Sequence, residues 1–229
     1  MSTTAVDRSL LRLEPTESLR ERVRRALVAA IVTGELAPGQ LVSVPTLAVR
    51  FGVSATPVRE AILELEKSGF VQPVRNKGFR ITTVSEETLR HVASVRLMIE
   101  PSCMERLAAS FPSAALRELR AGADRIVDGA RTGDLVAYLE ADTAFHVRLT
   151  AMLGNPVAVE IVTDLRSRAR LLGLSAIAGT SRLVESAHEH QELLDLLAAG
   201  DGPGARRLME RHIGHSLGLW AGLAESSSP

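Results

Sequence analysis

Cysteine occurs once in the 229 residues. Cys103 therefore has no internal disulfide partner, and zinc sites built from several thiolates are excluded. Net charge of one sign is also missing: 27 basic side chains balance 27 acidic ones. No apolar run approaches the roughly 20 residues that a membrane helix needs, so a membrane span is not expected. The polar stretch Met1–Asp7 is not followed by an apolar core, which argues against a secretory leader and for a cytoplasmic protein. No internal repeat is present, and the Ser-rich C-terminal tail is the one low-complexity tract. What remains is 45% hydrophobic, ordinary for a globular chain and too much for a disordered one.

The neutral total hides an asymmetry. Residues 1–84 carry 12 basic and 8 acidic side chains, and residues 85–229 carry 15 and 19. A basic unit of +4 thus precedes an acidic unit of −4, the distribution expected when one part meets a polyanion and the other does not.

Periodicity gives the elements. Ser18 with Glu21 three residues on is a capping-box pattern, and Leu19, Val23, Leu27 and Ile31 follow at helical spacing. Gly34 ends that helix, and Pro38–Gly39 make a turn. A short helix spans Pro45 to Phe51 and stops at Gly52. A second begins around Ser54–Pro57, buries Val58, Ile62 and Leu65, and ends at Gly69. Two β-rich runs, Phe70–Val74 and Phe79–Val84, flank the polar turn Arg75–Gly78 and read as a hairpin, with Pro73 on an edge strand. From Ser85 onward helix follows helix: Ser85 to Ala109 with a kink or break at Pro101, Ser113 to Arg131, Asp134 to Leu153, Val157 to Leu174, Ser181 to Ala199 and Gly204 to Leu223. The fold class is mainly α: an N-terminal winged helix-turn-helix in residues 1–84 and an all-α antiparallel bundle in residues 85–229.

Two short helices joined at a Gly turn and followed by a hairpin suit the major groove of DNA, which admits the second helix by its N-terminal end. That end carries Ser54, Thr56 and Arg59; an arginine there pairs with guanine, and the hydroxyls reach phosphate or base. Arg75 and Lys77 lie at the hairpin tip, within reach of the DNA backbone or minor groove. The same pattern also fits a small α/β module with a solvated loop. The runs Ala30–Gly39, Leu47–Ala48 and Phe51–Ala61 resemble the N-terminal domain of the GntR family of bacterial transcription regulators. The segment Gly52–Val53–Ser54–Ala55–Thr56–Pro57–Val58–Arg59–Glu60–Ala61 is the specific part. The resemblance implies contacts to double-stranded DNA from Ser54, Thr56, Arg59 and the wing residues Arg75, Lys77 and Gly78. The chain departs from the family at Val44–Pro45, where an acidic–basic pair is frequent, and at Ala55, where Arg is frequent. Both departures bear on the operator sequence rather than on DNA binding.

A second constellation lies in the helical part. Asp142 and His146 are four residues apart, ~400° of helical rotation, so they project from one face. His190 and His212 stand on two later helices. His188 and His190 diverge, so one of them points inward, whereas His212 and His215 can share a face. A carboxylate and three imidazoles from facing helices suit a divalent metal, zinc, nickel or manganese. From spacing alone a surface or hydrogen-bonded role is the commoner one for helical histidines. Arg96–x–x–x–Glu100, Leu107–Ala109, Asp142–x–x–Phe145–His146, Gly154–Asn155, Glu189–His190, Gly200–Asp201 and Met209–x–x–His212–Ile213 resemble the FCD-type effector domain of the FadR-like GntR subfamily. That resemblance implies Asp142, His146, His190 and His212 as the ligands of a metal ion.

Taken together, the resemblances imply a homodimeric regulator, a repressor by family habit, that binds a palindromic operator. Its effector is a small molecule, an organic acid coordinated at the metal, with Arg96 as a second, effector-binding anchor. Arg96 has an alternative, an i,i+4 salt bridge with Glu100. Val95, Leu149 and Leu153 read as core. Two other functions stay open: a metal sensor with no organic effector, and a metal-dependent hydrolase. Against the hydrolase stand the missing nucleophile motif, phosphate loop and general base, so no enzyme is expected.

Overall fold

The computed structural model describes residues 18–83, 85–169 and 180–221, with side chains to residue 215. Its first helix, α1 (Leu19–Val32), starts at Ser18, whose hydroxyl accepts from the Glu21 amide at 3.2 Å. The capping box is half realised. The Glu21 carboxylate does not reach back but pairs with Arg24 at 2.6 Å. Helix α2 (Val44–Phe51) is capped by Ser43 and closed by left-handed Gly52. Helix α3 (Ala55–Lys67) buries Val58, Ala61, Ile62 and Leu65 against α1 and α2.

The hairpin expected from sequence forms as β2 (Val71–Val74) and β3 (Gly78–Ile81). The sheet has a third strand that sequence reading missed, β1 (Leu41–Val42), giving the antiparallel order β1-β3-β2. Two residues are too few to show an alternation. Pro73 faces Phe79 from the edge strand β2, as its missing N–H requires. Gly78 is obligatory on two counts. Its φ is +104°, and a β-carbon there would lie 2.3 Å from the Val42 carbonyl oxygen.

Six further helices follow: α4 (Glu86–Ala108), α5 (Leu116–Thr132), α6 (Leu135–Ala151), α7 (Pro156–Ala169), α8 (Ser181–Ala198) and α9 (Gly202–Ala221). Ser85 and Asp134 cap α4 and α6, the helices expected to begin there. The expected ends at Leu174 and Leu223 lie outside the described residues. Pro101 does not break α4, which runs through it. The carbonyl left without its amide is that of Leu97, an exposed residue of α4. Helix α4 packs on α9 and α7, and α5 packs on α6 and α8. The α5–α6 approach is close at Gly129, where a β-carbon would sit 2.7 Å from the Tyr138 amide nitrogen.

Two apolar cores result. One gathers Val92 through Ile213 of the bundle, with Leu107, Leu149 and Leu194 wholly excluded from water. Each such leucine contributes roughly 1.5–3 kcal/mol of burial. The other gathers residues from Val23 to Ile81 and one outsider, Val136 of α6. Leu149 is core as expected, and Leu153 packs at its edge. Val95 is not core: it is exposed on α4. The exposed and buried faces of α4 differ little in hydrophobicity, which is why periodicity misassigned it.

Candidate metal centre and DNA-facing surface

Asp142 and His146 of α6, His190 of α8 and His212 of α9 meet inside the bundle, all buried, each offering a ligand atom within 4.8 Å of the others. The His146 and His190 Nε2 atoms are 3.0 Å apart, and His190 Nε2 is 3.2 Å from Asp142 Oδ1. The three rings stand with centroids 4.8–5.3 Å apart, and Phe145 closes over His146 and His190 edge-on. His188 faces solvent, so the pair diverges as expected.

The outer partners fix which nitrogens face inward. His190 Nδ1 lies 2.9 Å from the Ala187 carbonyl, which can only accept, so that nitrogen carries the hydrogen. His212 Nδ1 likewise donates to Glu189 at 2.8 Å. The other Glu189 oxygen accepts from His215 at 2.9 Å, so His212 and His215 do share a face and a partner. Both rings thus turn their Nε2 atoms inward, and that of His190 reaches the Asp142 carboxylate. Four potential ligand atoms gather there, and carbonyl and carboxylate partners behind the rings are the usual support of a metal site. The donor set therefore fits a divalent ion.

Electrostatics favour the ligating forms. Burial and then the charge of Arg166 push His146 well below its ordinary value, and burial lowers His212 against the pull of Glu189. Burial would raise the Asp142 carboxyl, but Arg166, His190 and His146 together hold it well below the usual carboxylate range. Glu189 is lowered too, since His212 and His215 outweigh its burial.

A chain of buried ions continues outward. Arg166 of α7 bonds Asp142 Oδ2 at 3.0 Å and clasps Glu100 through Nε and Nη2. Glu100 in turn receives Arg96 Nε at 2.7 Å. Arg96 is 2% exposed and engaged with Glu100, the i,i+4 pair that its spacing allowed. Arg166 and Glu189 were not singled out from sequence for these roles. The Arg166–Asp142 and Glu189–His212 bonds join residues 24 and 23 positions apart, and no local pattern announces them.

The N-terminal surface is different in kind. Ser54, Thr56 and Arg59 are exposed on one end of α3, and Arg75 and Lys77 are exposed at the β2–β3 turn. Among the described residues, none of these five side chains has a hydrogen bond or ion pair. Ser54 makes no side-chain cap, unlike Ser18, Ser43 and Ser85, so the first amides of α3 point outward unanswered. Such amides attract phosphate.

Comparison with known proteins gives a consistent picture. Residues 19–81 match the family described as "Bacterial regulatory proteins, gntR family", and residues 91–215 match the "FCD domain". A protein of Streptomyces ambofaciens described as an uncharacterized HTH-type transcriptional regulator in unstable DNA locus is 32% identical over 80% of this chain and 77% of its own. The HTH-type transcriptional repressor RspR of Escherichia coli is 26% identical over 88% of each chain. Among solved structures, E. coli McbR/YncC superposes with a TM-score of 0.68 at 23% identity, over 89% of this chain and 97% of its own. A GntR regulator from Rhodococcus gives 0.65 at 22%, over 90% and 99%. The solved structures bear on the fold alone.

Proposed function

Because the chain belongs to the gntR family of bacterial regulatory proteins and carries an FCD domain, we propose that it is a dimeric repressor whose hold on DNA is set by a divalent metal and a small carboxylate. Transcription regulation, not an enzymatic reaction, comes with the family and with relatives named as regulators. No helix among the described residues is long and apolar enough to cross a membrane.

In this reading residues 1–84 are the DNA-binding unit and residues 85–229 the effector unit. Ser54, Thr56 and Arg59 present themselves to base edges and phosphates in the major groove. Arg75 and Lys77 approach the backbone from the wing, and Gly78 lets the wing pass close to β1. A palindromic operator asks for two copies. Met98 of α4 and Val157 of α7, 71% and 61% exposed on neighbouring helices, offer apolar surface for a second copy to cover.

Asp142, His146, His190 and His212 hold the metal. The single observation that carries this is their convergence, with the rings of His190 and His212 held from behind through Nδ1. When bound, a zinc, nickel or manganese ion supplies open coordination positions for a carboxylate. The buried charges suggest its class. Among the buried carboxylates and guanidiniums, Asp142, Glu100 and Glu189 against Arg96 and Arg166 leave one net negative charge. A divalent ion turns this into one net positive charge, which a monocarboxylate neutralises. Arg96 anchors that carboxylate by exchanging its bond to Glu100 for the ligand.

The test is metal analysis of the untagged protein, with DNA binding measured on the region upstream of its own gene. About one ion per chain, and DNA affinity that falls steeply with salt and changes when the ion is removed, support the reading. No ion after incubation with zinc, nickel and manganese overturns the metal site. A carboxylate that leaves DNA affinity unchanged, while the metal alone changes it, makes the protein a metal sensor.

A further inference from the structure

One helix touches both halves of this molecule. α6 gives the centre two of its four donors, Asp142 and His146, while α8 and α9 give one each. The same helix reaches into the other domain. Val136, 6% exposed, is the one bundle residue in the core that is otherwise made by residues 23–81. One turn on, Glu140 pairs with Arg24 of α1, which Glu21 holds from the opposite side. At the start of α6, Asp134 lies 3.6 Å from Arg25.

The geometry separates the two jobs. At 100° per residue, Val136 and Glu140 share one side of α6, and the mean direction of Asp142 and His146 lies about 120° round from it. One face of a rigid rod thus meets the centre and another meets α1. α1 in turn packs on α3, the helix whose end faces DNA, and Arg20 pairs with Glu64 at 3.1 Å across that contact. Beside the α1–α6 contact lies a cleft of about 470 Å³ lined by Arg25, Arg125, Asp128 and Ala144. At the centre, ligand atoms lie as close as 3.0 Å and as far as 4.8 Å apart. An ion that draws four atoms to one coordination distance acts on α6 at two points.

We infer that α6 is a lever between the metal centre and the DNA-binding domain, with the Arg24–Glu140 pair and Val136 as its bearing on α1. This rests on the metal reading above and adds a route to it: the signal passes through a helix–helix contact, in parallel with the covalent junction at Ser85. Coupling of this kind is reciprocal, so whatever changes metal affinity through α1 is changed by metal at α1.

Amide hydrogen exchange on the full-length protein tests it, with zinc or with a chelator, comparing Glu140→Gln, Arg24→Gln and the double variant with wild type. In wild type, zinc should slow exchange in α8, which carries His190, and in α1. In either single variant the α8 response should persist while the α1 response shrinks about two- to fivefold, the range a half-exposed ion pair supports. The double variant should lose no more than either single one. An α1 response that is absent in wild type while α8 responds, or that is unchanged in Glu140→Gln, overturns the lever and leaves the metal site standing. Zinc that affects neither helix overturns the metal site and the lever with it.

Discussion

Replacing Arg166 by Met tests the buried ion chain. Met keeps much of the stem's volume and removes the guanidinium. Asp142 then loses its partner at 3.0 Å, and Glu100 keeps Arg96 alone. Breaking a fully buried pair costs about 3–5 kcal/mol, because the orphaned charge stays buried. The lower part of that range applies here, since one of the two carboxylates remains paired. For a chain of this size each kcal/mol moves Tm by about 2–4 °C, so metal-free Arg166→Met should melt roughly 6–12 °C below wild type. Zinc should then reverse much of the loss. Its charge stands in for the guanidinium at Asp142, and the repulsion between Arg166 and the ion is gone, so zinc should raise Tm more in the variant than in wild type. Melting followed by far-ultraviolet circular dichroism, with chelator and with excess zinc, reads both effects. A metal-free loss below about 1 kcal/mol would refute the reasoning that this burial is ionic. So would a larger zinc response in wild type.

Four more outcomes follow from the same structure. His146 and His212 are held neutral in the fold, so the unfolded chain takes up protons first. Metal-free stability should be full above about pH 6.5 and fall as the pH drops below it, which urea unfolding at pH 7.5 and 5.5 measures. Glu189→Gln should weaken metal binding about 10–100-fold by competition with a chromophoric chelator, since it releases His212 and His215 together. Gly129→Ala should destabilise by about 1–3 kcal/mol despite the better helix former, because the new methyl meets the Tyr138 backbone. Arg59→Ala should cost operator binding about 1–3 kcal/mol in a titration at fixed salt, with equal loss on unrelated DNA counting against base contact.

Local chemistry made much of this legible. Ser and Asp caps, the glycine stops and the edge proline each act within a few residues, and each was readable. Asp142 and His146 were readable as a pair because one turn of helix joins them. Their meeting with His190 and His212 needed the family resemblance, since helix pairing is a long-range event. Arg166 shows the limit best. It lies two residues from Arg168, in the same helix and with the same chemistry. Arg166 is 2% exposed inside the ion chain, whereas Arg168 pairs with Asp164 on the surface. The difference is set by Glu100, 66 positions earlier, and by Asp142. Pro101 meets the same limit: α4 does not break there, because packing on neighbouring helices can outweigh one lost hydrogen bond, and packing is a tertiary property.

The order in which the chain is synthesised gives the centre a further meaning. Domains fold as units, N-terminal first, while the ribosome still extends the chain. The residues from Val23 to Ile81 are complete early, but Val136 must be made before their core is sealed. His212 arrives later still, on the last helix, so no nascent chain short of it can hold an ion with four ligands. In the proposed reading, a loaded centre therefore certifies a bundle completed as far as His212.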